Sequence, residues 1–489
     1  MNHINLSAGK TTGLFAVLLA GLVGVSLAGS APVHLIFFLC WTWALICACL
    51  YIKTSELGGQ VFVSTMYLFI ATTFLNQSLL SVQVGFFSLF IYRLMLIVAL
   101  IILLVKANGA KGLHDLWDQI YVKGVLFFLL FWMAYGSISL LWAQSVIDGV
   151  KYLFLLGIGI AFIFLAVFSF TKIRQLTVFY AIWMFMTAAL LVIGLVNHFT
   201  GFQLPTSSLY GGSAYKLDYP TAVFTNQNDF ATLLTISFFF YLSYAKNAEK
   251  GGYRVLTLAL SALSLYIIFL TDSRASLLAI AAGLAFYVFM FLPGKFKKYS
   301  AIAAAALLAG GVLLYSGKIV SKLIAFFTEE PDLSVYGTTD SNVVRMHFLQ
   351  STAHYLADTY GFGVGAGNLS YYLEYRPLFN TDHIYEVHNW LAEITGNFGL
   401  LIGAGYLAMY TALFVSLYRM RQRVEERNQK MLIEGALAGQ LAFLVSSISP
   451  SSVSNLYFHW VFLGFVVTLV SVLQRDRRLN EVKPGGVKR

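Results

Sequence analysis

The sequence predicts an all-α fold, a polytopic membrane helix bundle with a large extracytoplasmic loop, and three observations carry that prediction. The 489 residues are 58% hydrophobic and 11% charged, with a mean hydropathy of +0.75, a balance that excludes a water-facing globular domain. The apolar runs approach the roughly 20 residues a helix needs to cross a bilayer, and in lipid a helix satisfies its own backbone amides. The cations are also partitioned. All but eight of the 32 Lys and Arg residues lie on the side that holds Lys10, the short basic connections and the C-terminal tail. The positive-inside rule then puts both termini in the cytoplasm and makes the chain a multi-pass protein of the cytoplasmic membrane.

Fourteen apolar runs are candidate spans: 13–29, 34–52, 61–76, 84–105, 121–143, 148–170, 176–199, 224–245, 254–271, 275–293, 299–316, 388–416, 431–449 and 457–473. The third is short, so a count of 12–14 is compatible with the pattern. They divide the chain into about eleven spans over 1–316, an extracytoplasmic loop over 317–387, three spans over 388–473 and a cytoplasmic tail over 474–489. Lys10 and the apolar run after it would also suit a secretory signal peptide, but a second span follows almost at once, which favours a retained first helix. Cys40, Cys47 and Cys49 share one apolar run, with neither disulfide nor metal-site spacing. The net charge of +10 resides in short loops and is an orientation signal, not a nucleic-acid footprint.

Two connections on the outer side are long, 200–223 and 317–387, so chemistry is expected there. The larger holds eight acids against Lys318, Lys322, Arg345 and Arg376, and is therefore no generic basic patch. Within it, Val344, Phe348, Ala353 and Leu356 are spaced as on an amphipathic helix lying on the membrane surface, which breaks at the glycine-rich "GFGVGAGN".

Three helix starts face the same side. In "FTNQNDFA", Asn226 and Asn228 are good N-cap residues, and capping alone would explain them. In "TDSRASLL", Asp272 or Ser273 caps the next span and leaves Arg274 in its first turn. The helix dipole repels a cation there, whereas a guanidinium beside free amides suits phosphate oxygens; a pair with Asp272 or a snorkelling anchor is the plainer alternative. Arg345, alone, reads as a solvated face, and gains meaning only beside Arg274. In "YEVHNWLAEITGNFGL", Glu386 leads into His388 and Asn389 at a helix start, where the dipole favours the neutral imidazole a general base needs; a buried structural histidine is the alternative. Glu393, a turn deeper, is expensive unless partnered, by Asn389 or by an arginine. Gly396, Gly399 and Gly403 have the spacing of close helix packing. With no P-loop, no G-x-S-x-G and no metal-spaced ligand cluster, no metal and no cofactor are expected. A metal-free transfer with a phosphate leaving group fits best.

"FTNQNDFA", "DSRAS", "VVRMHF" with "GFGVGAGN", and "HNWLAEITGNFGL", in this order over about 220 to 405, resemble the superfamily of lipid-linked glycan polymerases and ligases that contains the O-antigen ligases and Wzy-type polymerases. The resemblance implies a GT-C-like membrane glycosyltransferase with an undecaprenyl-diphosphate-linked glycan as donor and a second glycan as acceptor, working beside other polysaccharide-assembly membrane proteins. Carried over by motif, Arg274 and Arg345 would hold the diphosphate and His388 would activate or position the acceptor hydroxyl, with inversion at the anomeric carbon. Gln227 stands where that superfamily often has proline. In length the chain is similar to the teichuronic acid polymerases of Gram-positive bacteria. The rival readings are a transporter or flippase of lipid-linked glycan, and a ligase that moves finished glycan to another acceptor. Transporters concentrate polar residues near the bilayer midplane, whereas here they cluster at outer helix ends.

Overall fold

A computed structural model describes residues 58–75, 81–84, 87–107, 112–213, 216–329, 333, 341–450, 452 and 456–482. The first two expected spans, the three cysteines and the signal-peptide alternative lie outside the described residues. The chain runs through α1 (Gly58–Thr73), an antiparallel hairpin of β1 (Ser81–Val84) and β2 (Phe87–Phe90), α2 (Ile91–Ala107), α3 (Gly112–Asp118) and α4 (Lys123–Ser139). There follow α5 (Val146–Ser169), α6 (Ile173–Thr200), α7 (Gln227–Asn247), α8 (Gly251–Leu270), α9 (Arg274–Phe291) and α10 (Gly294–Thr328). The last elements are α11 (Ser341–Asp358), α12 (Leu369–Tyr375), α13 (Trp390–Arg421), α14 (Arg427–Ser446) and α15 (Tyr457–Val482).

A helix coincides with every expected span from 61 onward, and among the described residues seven helices are long and apolar enough to cross a membrane. Helices α7 and α14 fall below that hydropathy for a physical reason: they pack on each other at the centre of the bundle and meet protein on most sides. There Ser237 accepts from the Trp183 indole at 2.9 Å and Ser243 donates to the Met431 carbonyl at 2.7 Å, so polar residues are satisfied without lipid contact.

Four expectations change. The span expected from 84 starts at Ile91, because residues up to Phe90 form the hairpin. The boundary at 317 falls inside α10, which no proline or capping residue interrupts before Thr328. Helix α11 buries Val344, Phe348, Ser351, Thr352 and Tyr355, with Ala353 and Leu356 only half-buried. That face joins Val364, Leu369, Leu373, Val387 and Ala392 in a small second core, so it is turned to protein and not laid on a lipid surface.

The fourth change concerns Gly399, which was expected to let two helices approach. It breaks α13 instead, with φ of 81°. Gly361, Gly363, Gly365 and Gly367 are left-handed as well, and the turn they form docks into this break. Val364 and Gly365 donate to the carbonyls of Gly396 and Asn397 at 2.9 and 3.0 Å, and the Leu400 amide donates to Gly361 at 2.9 Å. A Cβ on Gly363 would meet the Gly399 nitrogen at 2.5 Å, so the two backbones approach only because both residues lack one.

At the opposite end of the bundle the buried Glu434 carboxylate takes Lys246 on both oxygens at 2.8 Å, Arg421 at 2.8 and 3.1 Å, and Asn247 at 3.0 Å. Both cations also lie over the Phe291 ring. This clasp ties together α7, α9, α13 and α14. Glu434→Ala would leave two cations facing each other, and loss of one partner of a buried pair costs about 3 kcal/mol or more. We expect a clear drop in the melting temperature of the purified protein in detergent, measured by differential scanning fluorimetry.

Candidate active site

The three decorated helix starts open at one end of the bundle. Asn226 caps α7: it accepts from the Asp229 amide at 3.0 Å and donates to the Asp229 carboxylate at 3.0 Å. Asn228 stands in the first turn, its carbonyl taking the Thr232 hydroxyl at 2.9 Å. Capping therefore accounts for Asn226. Before α9, Asp272 is exposed and left-handed with φ of 54°. Ser273 occupies the N-cap position, but its buried hydroxyl donates to Ser276 at 3.1 Å and caps no amide. Arg274 follows as the exposed first residue of α9, and among the described residues no acid lies within ion-pair distance of it or of Arg345.

Four of the six other cations that the sequence pattern leaves off the basic side are accounted for. Arg93 lies over the Phe90 ring at 4.4 Å, Lys151 pairs with Asp148 at 3.0 Å, Lys318 lies over Tyr315 at 5.8 Å, and Arg376 lies over Tyr372 at 5.3 Å and donates to Gln144. Each has ordinary structural company. Half-buried Arg345 instead has its pKa lowered by burial and by the charge of Arg274. Two guanidiniums that repel each other at the end of a bundle form a site whose natural complement is an anion.

His388 belongs to the same electrostatic group. Its pKa lies below the ordinary 6.5, first through burial and also through the charge of Arg345, with backbone contacts to Ser449 and Pro450 opposing the shift. The residue precedes the Asn389 cap with φ of 52° and is not itself part of the helix, so burial and not the helix dipole is the leading cause of its neutrality. Its Nδ1 meets the Ser449 carbonyl at 3.3 Å. A carbonyl only accepts, so Nδ1 carries the proton and Nε2 keeps the lone pair a base requires. The ring also faces Phe348, one turn from Arg345 on α11, with centroids 6.2 Å apart.

Asn389 caps α13 by accepting from Ala392 at 3.0 Å. Glu393 is buried, and its carboxylate accepts from the hydroxyls of Tyr152 at 2.9 Å and Ser452 at 2.8 Å. Glu386 is exposed on the rim of a cavity of about 180 Å³ that Glu393 also lines.

Comparison with known proteins bears on this arrangement. Residues 259–407 match the family model described as O-Antigen ligase. The teichuronic acid biosynthesis protein TuaE of Bacillus subtilis (strain 168) is 47% identical over 423 residues, 86% of this chain and 87% of that one. The chain belongs to the O-antigen ligase family. Membership bears out the resemblance read from the motifs, and with it a membrane protein that polymerises or ligates lipid-linked glycan; nothing comparable supports a transporter. The O-antigen ligase match includes Asp272, Ser273, Arg274, Arg345, Glu386, His388, Asn389 and Glu393, whereas Asn226 and Asn228 lie before it.

The sequence reading missed Tyr152, Ser449 and Ser452 because each comes from a helix end far from the motifs. The signal was present in "SPSS", a proline-fixed polar connection where an apolar run would need none. Among the described residues no three His, Cys, Asp or Glu side chains converge as ligands of a metal ion would.

A depressed histidine pKa means that the neutral form prevails further into acid. Between the folded value and 6.5 an unfolded chain binds more protons, so in that window this histidine makes stability rise with pH. A site-resolved NMR titration of His388 should give a midpoint below 6.5. Arg345→Ala, by removing the like charge, should move that midpoint upward.

Proposed function

We propose that this chain is a glycosyltransferase that lengthens a glycan carried on undecaprenyl diphosphate, at the outer face of the cytoplasmic membrane. The observation that carries the reading is the Arg274–Arg345 pair, repulsive and without a counter-ion among the described residues, acting on a neutral histidine. The diphosphate of the donor supplies the missing negative charge. The acceptor hydroxyl gives its proton to Nε2 of His388 as its oxygen bonds to the anomeric carbon from the face opposite the diphosphate. The anomeric carbon–oxygen bond breaks, and its electron pair leaves on the diphosphate. That charge is held by two guanidiniums, so no separate acid is required, and electrostatic stabilisation is the larger part of catalysis. Configuration inverts.

Orientation rests on the cation distribution, which puts the connections carrying these residues outside and both termini in the cytoplasm. The relative is a teichuronic acid biosynthesis protein, a role that chain growth and transfer of finished glycan would both serve.

The test is reconstitution with a purified lipid-diphosphate repeat unit. Chain growth with no other acceptor supports a polymerase, and diphosphate release only with an added acceptor supports a ligase. Arg274→Ala should lose donor binding and product together. His388→Ala should keep donor binding and slow transfer by about 10²–10⁴-fold, the usual range for a general base. Intact donor binding and polymer yield in Arg274→Ala would make the diphosphate assignment wrong.

A further inference from the structure

The end of the bundle that holds the Glu434 clasp carries a charged cavity that the transfer step above does not use. It opens between the end of α13, the connection into α14 and the end of α15, with a volume of about 1040 Å³. A smaller groove of about 550 Å³ leads into it along α13. The two share Ser416 and Arg419, so they form one continuous surface.

The groove follows from the sequence of α13. Leu407, Ala408, Thr411, Ala412 and Val415 lead to Arg419 at helical spacing, and all are exposed. The small Ala408 and Ala412 between Leu407 and Val415 hollow the stripe. From Leu407 to Arg419 the helix rises about 18 Å, close to the depth of one leaflet's hydrocarbon, about 15 Å. A stripe of that length accommodates one acyl chain.

At its end the surface turns from apolar to charged. Arg419 is exposed, and exposed Arg423 stands a turn beyond it, where the Arg423 and Val424 amides both return to the Met420 carbonyl at 2.9 and 3.1 Å. Among the described residues neither guanidinium has an acid within ion-pair distance or lies over an aromatic ring. Their neighbour Arg421 differs, because Glu434 engages it. Arg477 and Arg478 add to the basic lining, the latter over the Tyr121 ring at 4.9 Å. Glu425, Glu426 and Asp476 line the same cavity, none within ion-pair distance of a cation among the described residues. Glu426 and Asp476 repel each other, while Arg475 attracts Asp476 from its own helix.

This mixture of charge narrows the occupant. A solely anionic ligand would meet the three acids, and a solely cationic one the arginines. A phospholipid whose phosphate follows its acyl chains and whose amine lies beyond meets apolar groove, arginines and acids in the order that the chain presents them. Carboxylates accept from a primary ammonium, whereas choline has no N–H to donate. The cavity lining also holds no aromatic side chain among the described residues, and so no cage for a quaternary ammonium.

We propose that this surface binds one phosphatidylethanolamine-type phospholipid, with its phosphate on Arg419 and Arg423, its ammonium at Glu426 and Asp476, and an acyl chain along α13. In the orientation argued above, the lipid comes from the inner leaflet, where basic pockets between helices commonly take headgroups. Its binding does not depend on the transfer reaction.

The full chain, delipidated in detergent, is titrated with dioleoyl phosphatidylethanolamine, phosphatidylcholine or phosphatidylglycerol, and bound lipid is counted by native mass spectrometry. One ethanolamine lipid should bind saturably, and the other two about tenfold more weakly, the difference expected for one hydrogen bond to a charged group. Arg419→Gln should weaken the ethanolamine lipid about tenfold for the same reason, and Ala412→Trp, which fills the groove, should weaken it at least as much. Glu426→Gln should lower affinity for the ethanolamine lipid and raise it for the glycerol lipid. All three positions are exposed, so the lipid-free melting temperature should stay that of the parent chain and separate lost binding from lost folding. Glycerophosphoethanolamine, which has no acyl chains, should not displace the lipid. Equal or tighter binding of the choline or glycerol lipid, or unchanged ethanolamine affinity in Arg419→Gln or Ala412→Trp, would overturn the proposal. So would displacement by glycerophosphoethanolamine, which would assign a soluble ligand, or lipid-free dimers, which would assign the stripe to a second copy of the chain.

Discussion

The site depends on one backbone contact, the docking of the glycine turn into the break of α13. The turn donates to the carbonyls of Gly396 and Asn397 and receives the Leu400 amide, and it is fastened on its other face by the Trp142 indole on Gly363 and by paired bonds between Asn368 and Ser145. Three separate stretches are thereby fixed together: the start of α5, the loop helix α11 and the start of α13. Arg345 and His388 come from the second and third of these. Without the turn, the two residues would sit on segments joined only by a small apolar core.

Much of this was legible in the sequence, and the exceptions have physical causes. Hydropathy located the helices from 61 onward because lipid leaves the backbone one solution. It failed at Phe90 and Thr328, where a hairpin and a helix extension carry the chain beyond an apolar stretch with no change in composition. The motifs drew attention to Arg274 and His388 as costly residues for their positions, whereas Arg345 alone read as a solvated face. The glycines of α13 were misread because a spacing of three or four reports close approach, not what approaches. Partners such as Tyr152 and Ser452 for Glu393 are set by tertiary packing, to which local pattern is blind.

The two ends of the bundle treat charge in opposite ways. At the end holding Glu434, a carboxylate, two cations, an amide and an aromatic ring satisfy one another completely enough to clamp four helices. At the other, two arginines act on each other with repulsion alone among the described residues. The first arrangement secures the fold and the second forgoes stability, a division common where function and folding compete.

Ser449 and Ser452 stand on one short connection, with only Pro450 and one further residue between them. One end meets the imidazole and the other meets the Glu393 carboxylate. One four-residue stretch of sequence therefore helps set the surroundings of both the imidazole and the carboxylate. A change confined to this stretch would reach both groups while altering neither of the two side chains.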